Sequence, residues 1–114
     1  MTNCVEVSGI ITDVRQRWMP SGEISVIASL QSQRPDAGAD RRNAESTQPL
    51  PLRATGDLAR QVVACESQAV RVSGYLRRRY YRREGEPHWG QVEIWLDRCQ
   101  PQQAEANDAI DNRI

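Results

Sequence analysis

Apolar and polar residues alternate one by one in four separate segments of this chain. A side-chain period of two places every apolar residue on one face of an extended backbone, so each segment predicts a half-buried β-strand. A shorter set, Leu50, Leu52 and Ala54, predicts one further strand between the second and third of these segments. The four alternating sets are Val5, Val7, Gly9 and Ile11; Ile24, Val26, Ala28 and Leu30; Val70, Val72, Gly74 and Leu76; and Val92, Ile94 and Leu96.

Turn and helix signals separate these strands. The Pro and Gly of Met19–Gly22 predict a hairpin turn between strand one, which we place at 4–14, and strand two. The segment Glu84–Pro87 predicts a second hairpin, between strands four and five. Between strands three and four, Gly56 and Asp57 predict the start of a short helix with Asp57 as its N-cap. The apolar face of that helix consists of Leu58, Val62 and Cys65.

The order of these elements predicts the fold class. Three strands, a short helix and two further strands are typical of an all-β, five-stranded OB-fold barrel. An SH3-like barrel, which does not require the helix, and an open α+β sandwich are the alternatives. A chain of 114 residues has the length of one domain. We place that domain at 1–99, with a mobile polar loop at 32–49 and a polar, acidic tail at 100–114.

Several function classes have no support in the sequence. The three cysteines, Cys4, Cys65 and Cys99, match neither a metal-binding spacing nor a disulfide framework. The single histidine, His88, has no recognisable nucleophile signature beside it, and no glycine-rich phosphate-binding motif occurs. We therefore expect no enzyme activity, no cofactor and no metal. Since the sequence contains no run of about 18 apolar residues, we expect a cytoplasmic protein that does not enter a membrane.

The segment 75–95 concentrates two kinds of side chain. It contains five of the six Trp and Tyr residues of the chain, interleaved with arginines, and all 15 basic residues of the chain are Arg. Aromatic rings stack on nucleic-acid bases with about 1 to 3 kcal/mol each, and guanidinium groups neutralise phosphates. The segment therefore predicts a site for single-stranded nucleic acid.

Strand alternation selects the residues of this predicted site. If Val72, Leu76, Val92, Ile94 and Leu96 face the core, the rings and arginines of the other parity share the outer face. The predicted nucleic-acid-binding residues are Arg71, Tyr75, Arg77, Arg79, Tyr81, Arg82, Arg83, Trp89 and Trp95. A twist or bulge would also bring residues of the opposite parity, Arg78, Tyr80 and Arg82, into the site. Two other interpretations remain: the rings cover a subunit interface, or the arginines form a solvated hairpin tip.

Three short motifs of this chain resemble one known family. They are Asn3-Cys4-Val5 followed by Gly9, Arg17-Trp18-Met19-Pro20-Ser21-Gly22, and Arg71-Val72-Ser73-Gly74-Tyr75-Leu76. Together they resemble the bacterial single-stranded-DNA-binding protein family over roughly residues 3–98. The resemblance implies an OB fold, binding of single-stranded DNA and assembly into dimers or tetramers. The short chain and its basic hairpin are similar to the primosomal branch of the family, which implies a dimer that passes single strands to replication-restart proteins.

The chain departs from the family pattern at two places. The third strand, Leu50–Thr55, has no aromatic residue where family members often have one. The sequence ends in Asp111-Asn112-Arg113-Ile114, whereas family members end in an acidic tip that finishes in Pro-Phe. Recruitment of repair enzymes through that tip is therefore not implied for this chain.

These observations combine into one functional expectation. We expect a homodimer that binds single-stranded DNA in replication or replication restart, without sequence preference. In this expectation Arg77, Arg79, Arg82 and Arg83 contact phosphates, while Tyr81 and Trp89 stack on bases. A protein–protein interaction module and a binder of single-stranded RNA are the alternatives, since an OB fold serves several functions and stacking does not test for the 2′-hydroxyl.

Overall fold

Five strands and one helix make up the described part of the chain. The computed structural model describes residues 1–34 and 47–102. The elements are β1 (Val5–Trp18), β2 (Ile24–Gln33), β3 (Thr47–Thr55), α1 (Gly56–Ala64), β4 (Ala69–Arg83) and β5 (Glu86–Pro101). The predicted all-β fold with one short helix between the third and fourth strands is confirmed.

The five strands close into a barrel in the order β1-β2-β3-β5-β4. β1 is antiparallel to both of its neighbours, β2 and β4. The barrel closes where β3 and β5 run parallel, and only two residue pairs, Leu52 with Ile94 and Arg53 with Trp95, form this contact. A five-stranded barrel with this order and a helix between β3 and β4 is an OB fold.

The core fills the barrel with small and branched side chains. Its fully buried members include Ile11, Leu30 and Leu52, and α1 adds Ala59 and Val62 from one end. The apolar set of each strand faces inward because alternate side chains leave opposite faces of a strand. Among the described residues, no helix has the length and apolar character needed to cross a membrane.

β1 is longer than its sequence pattern predicts. We expected it to end at residue 14, but it continues to Trp18 and pairs with β2 again from Arg15 to Trp18. Thr12 pairs with Ser29, and the next pair is Arg15 with Ile27. Two residues of β1 therefore lie opposite one residue of β2, which is a β-bulge. Asp13 at this bulge has φ 57°. The bulge shifts the alternation and places Arg15 on the outer face of the barrel.

The helix begins one residue before the predicted cap. Its N-cap is Thr55, whose side chain forms no capping hydrogen bond, so the prediction of Asp57 as N-cap is wrong. Asp57 instead lies in the first helical turn and forms an ion pair with Arg60 at 3.0 Å. A carboxylate in the first turn is favourable because it faces the positive end of the helix dipole.

The predicted bounds of the loop at 32–49 need correction. β2 extends through Gln33 and β3 begins at Thr47, so both ends of that segment are strand. Pro49 and Pro51 fit into β3 because its pairing with β5 is confined to residues 52 and 53. The remainder of the predicted loop, 35–46, and most of the predicted tail, 103–114, lie outside the described residues, while Gln100 and Pro101 belong to β5.

Beyond the barrel, β4 and β5 continue as a two-stranded ribbon. β4 pairs with β1 only as far as Gly74, so residues 76–83 pair with β5 alone; we call residues 76–83 and 86–92 the ribbon. Glu84 and Gly85 form its two-residue turn, with φ 52° and 84°, as hairpin turns with two positive φ angles require. Leu76 and Val92 were expected in the core, but they are 46% and 48% exposed. That expectation is wrong because the ribbon has left the barrel at these positions.

The close approach of β4 to β5 at Gly74 gives a prediction about stability. A Cβ at Gly74 would collide with the carbonyl oxygen of Trp95, whereas a Cβ at Gly90 would lie 3.6 Å from its nearest neighbours. We expect Gly74→Ala to lower the free energy of unfolding by about 3 kcal/mol because the backbone cannot give way. The matched variant Gly90→Ala should change it by less than about 1 kcal/mol. Urea unfolding measures both, and equal losses would contradict the packing described here.

The cysteines give a prediction about reactivity. Burial, together with the neighbouring Cys65 thiol, raises the pKa of Cys99 to about 11. Because the thiolate is the reactive form, Cys99 stays protonated and inert at neutral pH. Cys4 is exposed, whereas Cys65 and Cys99 are buried. A disulfide reagent at about pH 8 should therefore modify only Cys4 in the folded protein and all three thiols after unfolding. Rapid modification of Cys99 in the folded protein would contradict its burial.

Candidate nucleic-acid interface

An open groove lies between the β1–β2 hairpin and the ribbon. Its volume is about 610 Å³, and it is lined by residues from all five strands. We call it the hairpin groove. One wall comes from the β1–β2 hairpin, the other wall from β4, and the floor from β2, β3 and β5. In OB folds, this face of the barrel and these two connections are the usual ligand-binding region.

Arginine is the main charged residue of the hairpin groove. Arg15 and Arg17 line it from β1, Arg53 from β3, and Arg77 and Arg79 from β4. No Asp or Glu is among the described residues that line it. Opposed walls that carry the same charge concentrate a positive potential between them, which attracts an anionic ligand.

Apolar side chains lie between these arginines. Met19 and Tyr80 line the two walls, while Ile27 and Trp95 line the floor. The structure thus brings rings and guanidinium groups together in one concave surface. This combination has the chemistry to hold phosphates and to stack on bases in the same site.

A buried ion pair fixes the floor of the groove. Arg53 donates two hydrogen bonds to the carboxylate of Glu93, from Nε to Oε1 and from an Nη to Oε2, both at 3.1 Å. The two side chains are only 13% and 6% exposed. A two-pronged pair of this kind fixes both side chains in one orientation. It also balances the charge of Arg53, and Arg15 lies 3.8 Å from the Asp13 carboxylate, so the uncompensated positive charge of the walls lies on Arg17, Arg77 and Arg79.

Trp95 supports two of the arginines. The guanidinium carbon of Arg77 lies 4.3 Å from the centre of the indole ring, and that of Arg53 lies 5.4 Å away. Both distances are within the range of a cation–π interaction. The indole Nε1 is buried and has no hydrogen-bond partner among the described residues. The contact between this ring and the Arg77 guanidinium positions Arg77 at the groove wall.

A second bulge sets the two faces of the ribbon. Between the pairs Arg78–Val92 and Tyr80–Trp89, the single residue Arg79 lies opposite two residues of β5. The Arg78 Nε–H donates to the Gly90 carbonyl oxygen at 2.7 Å and so holds this bulge together. Since residues directly opposite each other share a face, Trp89 lies on the face of Tyr80 and Arg78.

The face assigned to Trp89 therefore needs correction. We expected Trp89 beside Tyr81, but it packs edge-on against Tyr80 with ring centres 4.8 Å apart. The bulge in β5 causes the difference, because an uninterrupted alternation would have placed Trp89 with Tyr81. Tyr81 instead stacks on His88, at 5.8 Å between ring centres. Tyr81 and Arg79 also line a smaller cavity of about 340 Å³.

The other candidate residues lie apart from the groove. The Arg71 guanidinium is 3.6 Å from the Glu6 carboxylate, near the start of β4. Tyr75 lies opposite Trp95 and is exposed, but it does not line the groove. Arg82 donates to the carbonyl oxygen of Gly85 at 3.1 Å at the ribbon tip. Arg83 lies at the same tip opposite Glu86. Of the nine candidates, Arg77, Arg79 and Trp95 line the hairpin groove.

Sequence reasoning missed the contribution of the first hairpin and of β3. Arg15 and Arg17 are two residues apart, so they share one face of a strand, and this spacing is visible in the sequence. OB folds bind their ligands near the β1–β2 and β4–β5 connections. With that general rule, the spacing would have predicted both arginines as site residues. Arg53 gave no such signal, since its neighbours are apolar and its partner Glu93 lies forty residues away.

The comparisons with known proteins add no family assignment. No protein-family model and no curated protein sequence matches this chain. Within residues 1–34 and 47–102, no group of three or more His, Cys, Asp or Glu side chains is placed to hold a metal ion. The class of this molecule is thus given by its own structure: an OB-fold barrel with an arginine-lined groove between two hairpins.

The buried ion pair gives a prediction about stability. Glu93→Ala should lower the free energy of unfolding by about 3 kcal/mol, because it leaves the enclosed Arg53 guanidinium without its partner. Asp57→Ala is the matched control, since the Asp57–Arg60 pair is exposed and should contribute less than about 1 kcal/mol. Thermal or urea unfolding compares the two variants. A loss for Glu93→Ala no greater than for Asp57→Ala would mean that the pair does not fix the groove floor.

Proposed function

We propose that this protein binds single-stranded DNA in the hairpin groove without sequence preference. One observation carries the proposal: arginines from both hairpins surround a floor that contains Trp95 and Ile27. A single strand presents a row of phosphates together with unpaired bases. The arginines of the groove can bind the phosphates, and its apolar side chains can contact the bases. The described groove residues neutralise charge and stack, so they favour no particular base.

The positions of the charges suggest how a strand would lie. Arg53 is neutralised by Glu93, whereas Arg17, Arg77 and Arg79 form no ion pair within the part of the chain that the structure describes. Phosphates are therefore attracted to the walls. Bases directed away from those phosphates meet the apolar side chains of Tyr80 and Met19, which line the same groove.

A role in DNA replication or replication restart is part of the proposal. It is supported by the resemblance of three sequence motifs to the bacterial single-stranded-DNA-binding family and its primosomal branch. On the same basis we propose a cytoplasmic homodimer that meets replication-restart proteins. The exposed apolar side chains of the ribbon, Leu76 and Val92, also favour a second candidate function, an OB-fold module that binds a protein partner instead of DNA.

Paired arginine substitutions test the proposed site. Arg15→Ala with Arg17→Ala, and separately Arg77→Ala with Arg79→Ala, should each weaken binding of a labelled oligothymidylate. Each lost phosphate contact should also flatten the plot of log affinity against log salt by about 0.7, and two lost contacts by about 1.4. Fluorescence anisotropy at a series of salt concentrations measures both quantities.

The control removes the same number of charges elsewhere. Arg60 and Arg98 are exposed and do not line the groove, so Arg60→Ala with Arg98→Ala should leave the salt slope unchanged. Equal effects of all three double variants would show that only overall charge matters.

No binding by the unsubstituted protein at low salt, together with a stable complex with a protein partner in light scattering, would favour the interaction module. Competition with an oligouridylate of equal length separates RNA from DNA.

A further inference from the structure

The ribbon has a second exposed face, and of its side chains only Tyr80 lines the hairpin groove. It continues the inward face of the barrel beyond the point of closure, and we call it the reverse face. Since directly paired residues share a face, the register of the ribbon defines its members. They are Leu76, Arg78, Tyr80, Arg82, Pro87, Trp89 and Val92. Among these side chains there are two arginines and no acidic residue.

Trp89 is an open stacking platform on the reverse face. Its side chain is 59% exposed, while the ring of Trp95 is covered by Arg53 and Arg77. Tyr80 supports Trp89 from one edge at 4.8 Å between ring centres. The guanidinium carbon of Arg78 lies 5.7 Å from the centre of the Trp89 ring. Arg78 is itself held by its hydrogen bond to the Gly90 carbonyl oxygen, so ring and cation are already in place.

The reverse face is continuous with the hairpin groove. Tyr80 lines the groove beside Arg77 and Arg79, and the same ring packs against Trp89. A ligand that follows the apolar surface of the groove past Tyr80 thus reaches Trp89 directly. The arginines along this path favour a polyanion as the ligand. A protein partner that covered Leu76 and Val92 would have to keep these guanidinium groups in water or provide carboxylates to pair with them.

We propose that the single strand bound in the hairpin groove leaves it over Tyr80 and continues across the reverse face, where a base stacks on Trp89. This inference rests on the proposed function. It assigns the ribbon two roles: its groove side contacts phosphates through Arg77 and Arg79, and its reverse face extends the bound length of the strand. The extension matters only for oligomers long enough to pass Tyr80.

The dependence of affinity on oligomer length tests this inference. Labelled oligothymidylates of about four and about twelve nucleotides lie within the range of OB-fold site sizes. In Trp89→Ala, the ratio of the 12-mer affinity to the 4-mer affinity should fall about tenfold, the effect of one lost stacking contact. Trp89→Phe should restore most of the ratio because it keeps a ring. Anisotropy titrations of each protein with both oligomers, at one salt concentration, give these ratios.

A matched tryptophan provides the control. Trp18 is exposed to a similar extent, 65% against 59% for Trp89, and it does not line the hairpin groove. Trp18→Ala should leave the ratio of affinities unchanged. If Trp89→Ala leaves the ratio of 12-mer to 4-mer affinity unchanged, the inference is overturned. A fall in the molecular mass of that variant in light scattering would then assign the reverse face to a second copy of the chain. If the unsubstituted protein binds neither oligomer, the proposed function itself fails.

Discussion

Two parallel residue pairs between β3 and β5 close this barrel, and the position of the groove depends on them. Leu52 and Ile94 pair at the core, and Arg53 and Trp95 pair beside them. Because neighbouring side chains leave opposite faces of a strand, the first pair fills the interior while the second lies on the outer face. The pairing that closes the barrel therefore also places Arg53 and Trp95 in the groove floor, so a change in register here would displace both the closure and the floor.

Bulges then direct the walls of the groove. The extra residue of β1 near Asp13 places Arg15 and Arg17 on the outer face, and the extra residue of β5 opposite Arg79 rotates the ribbon tip so that Trp89 meets Tyr80. Bulges increase the local twist of a strand pair, which lets two hairpins that leave one barrel bend toward a common groove. The fold thus supplies a rigid floor and two walls from separate parts of the sequence.

Sequence patterns predicted the elements better than they predicted the site. Ile24, Val26, Ala28 and Leu30 alternate with other residues because they are buried in the barrel. This alternation was therefore enough to predict β2. Alternation does not report where a ribbon leaves the barrel, and Leu76 was placed in the core for that reason. It also assumes uninterrupted pairing, so the shift of Trp89 to the face of Tyr80 could not be seen. The partnership of Arg53 with Glu93 depends on barrel closure and left no trace in the local sequence.

We propose that a nucleic-acid strand occupies the groove between the two hairpins. Backbone amide chemical shifts during titration with an oligothymidylate test it most directly, since each described residue other than proline reports its own environment. We expect the largest changes at the residues that line the groove, which include Arg15, Arg17, Arg53, Arg77, Arg79 and Tyr80. Changes centred instead on α1, or on the Glu6–Arg71 region at the other end of β4, would contradict it.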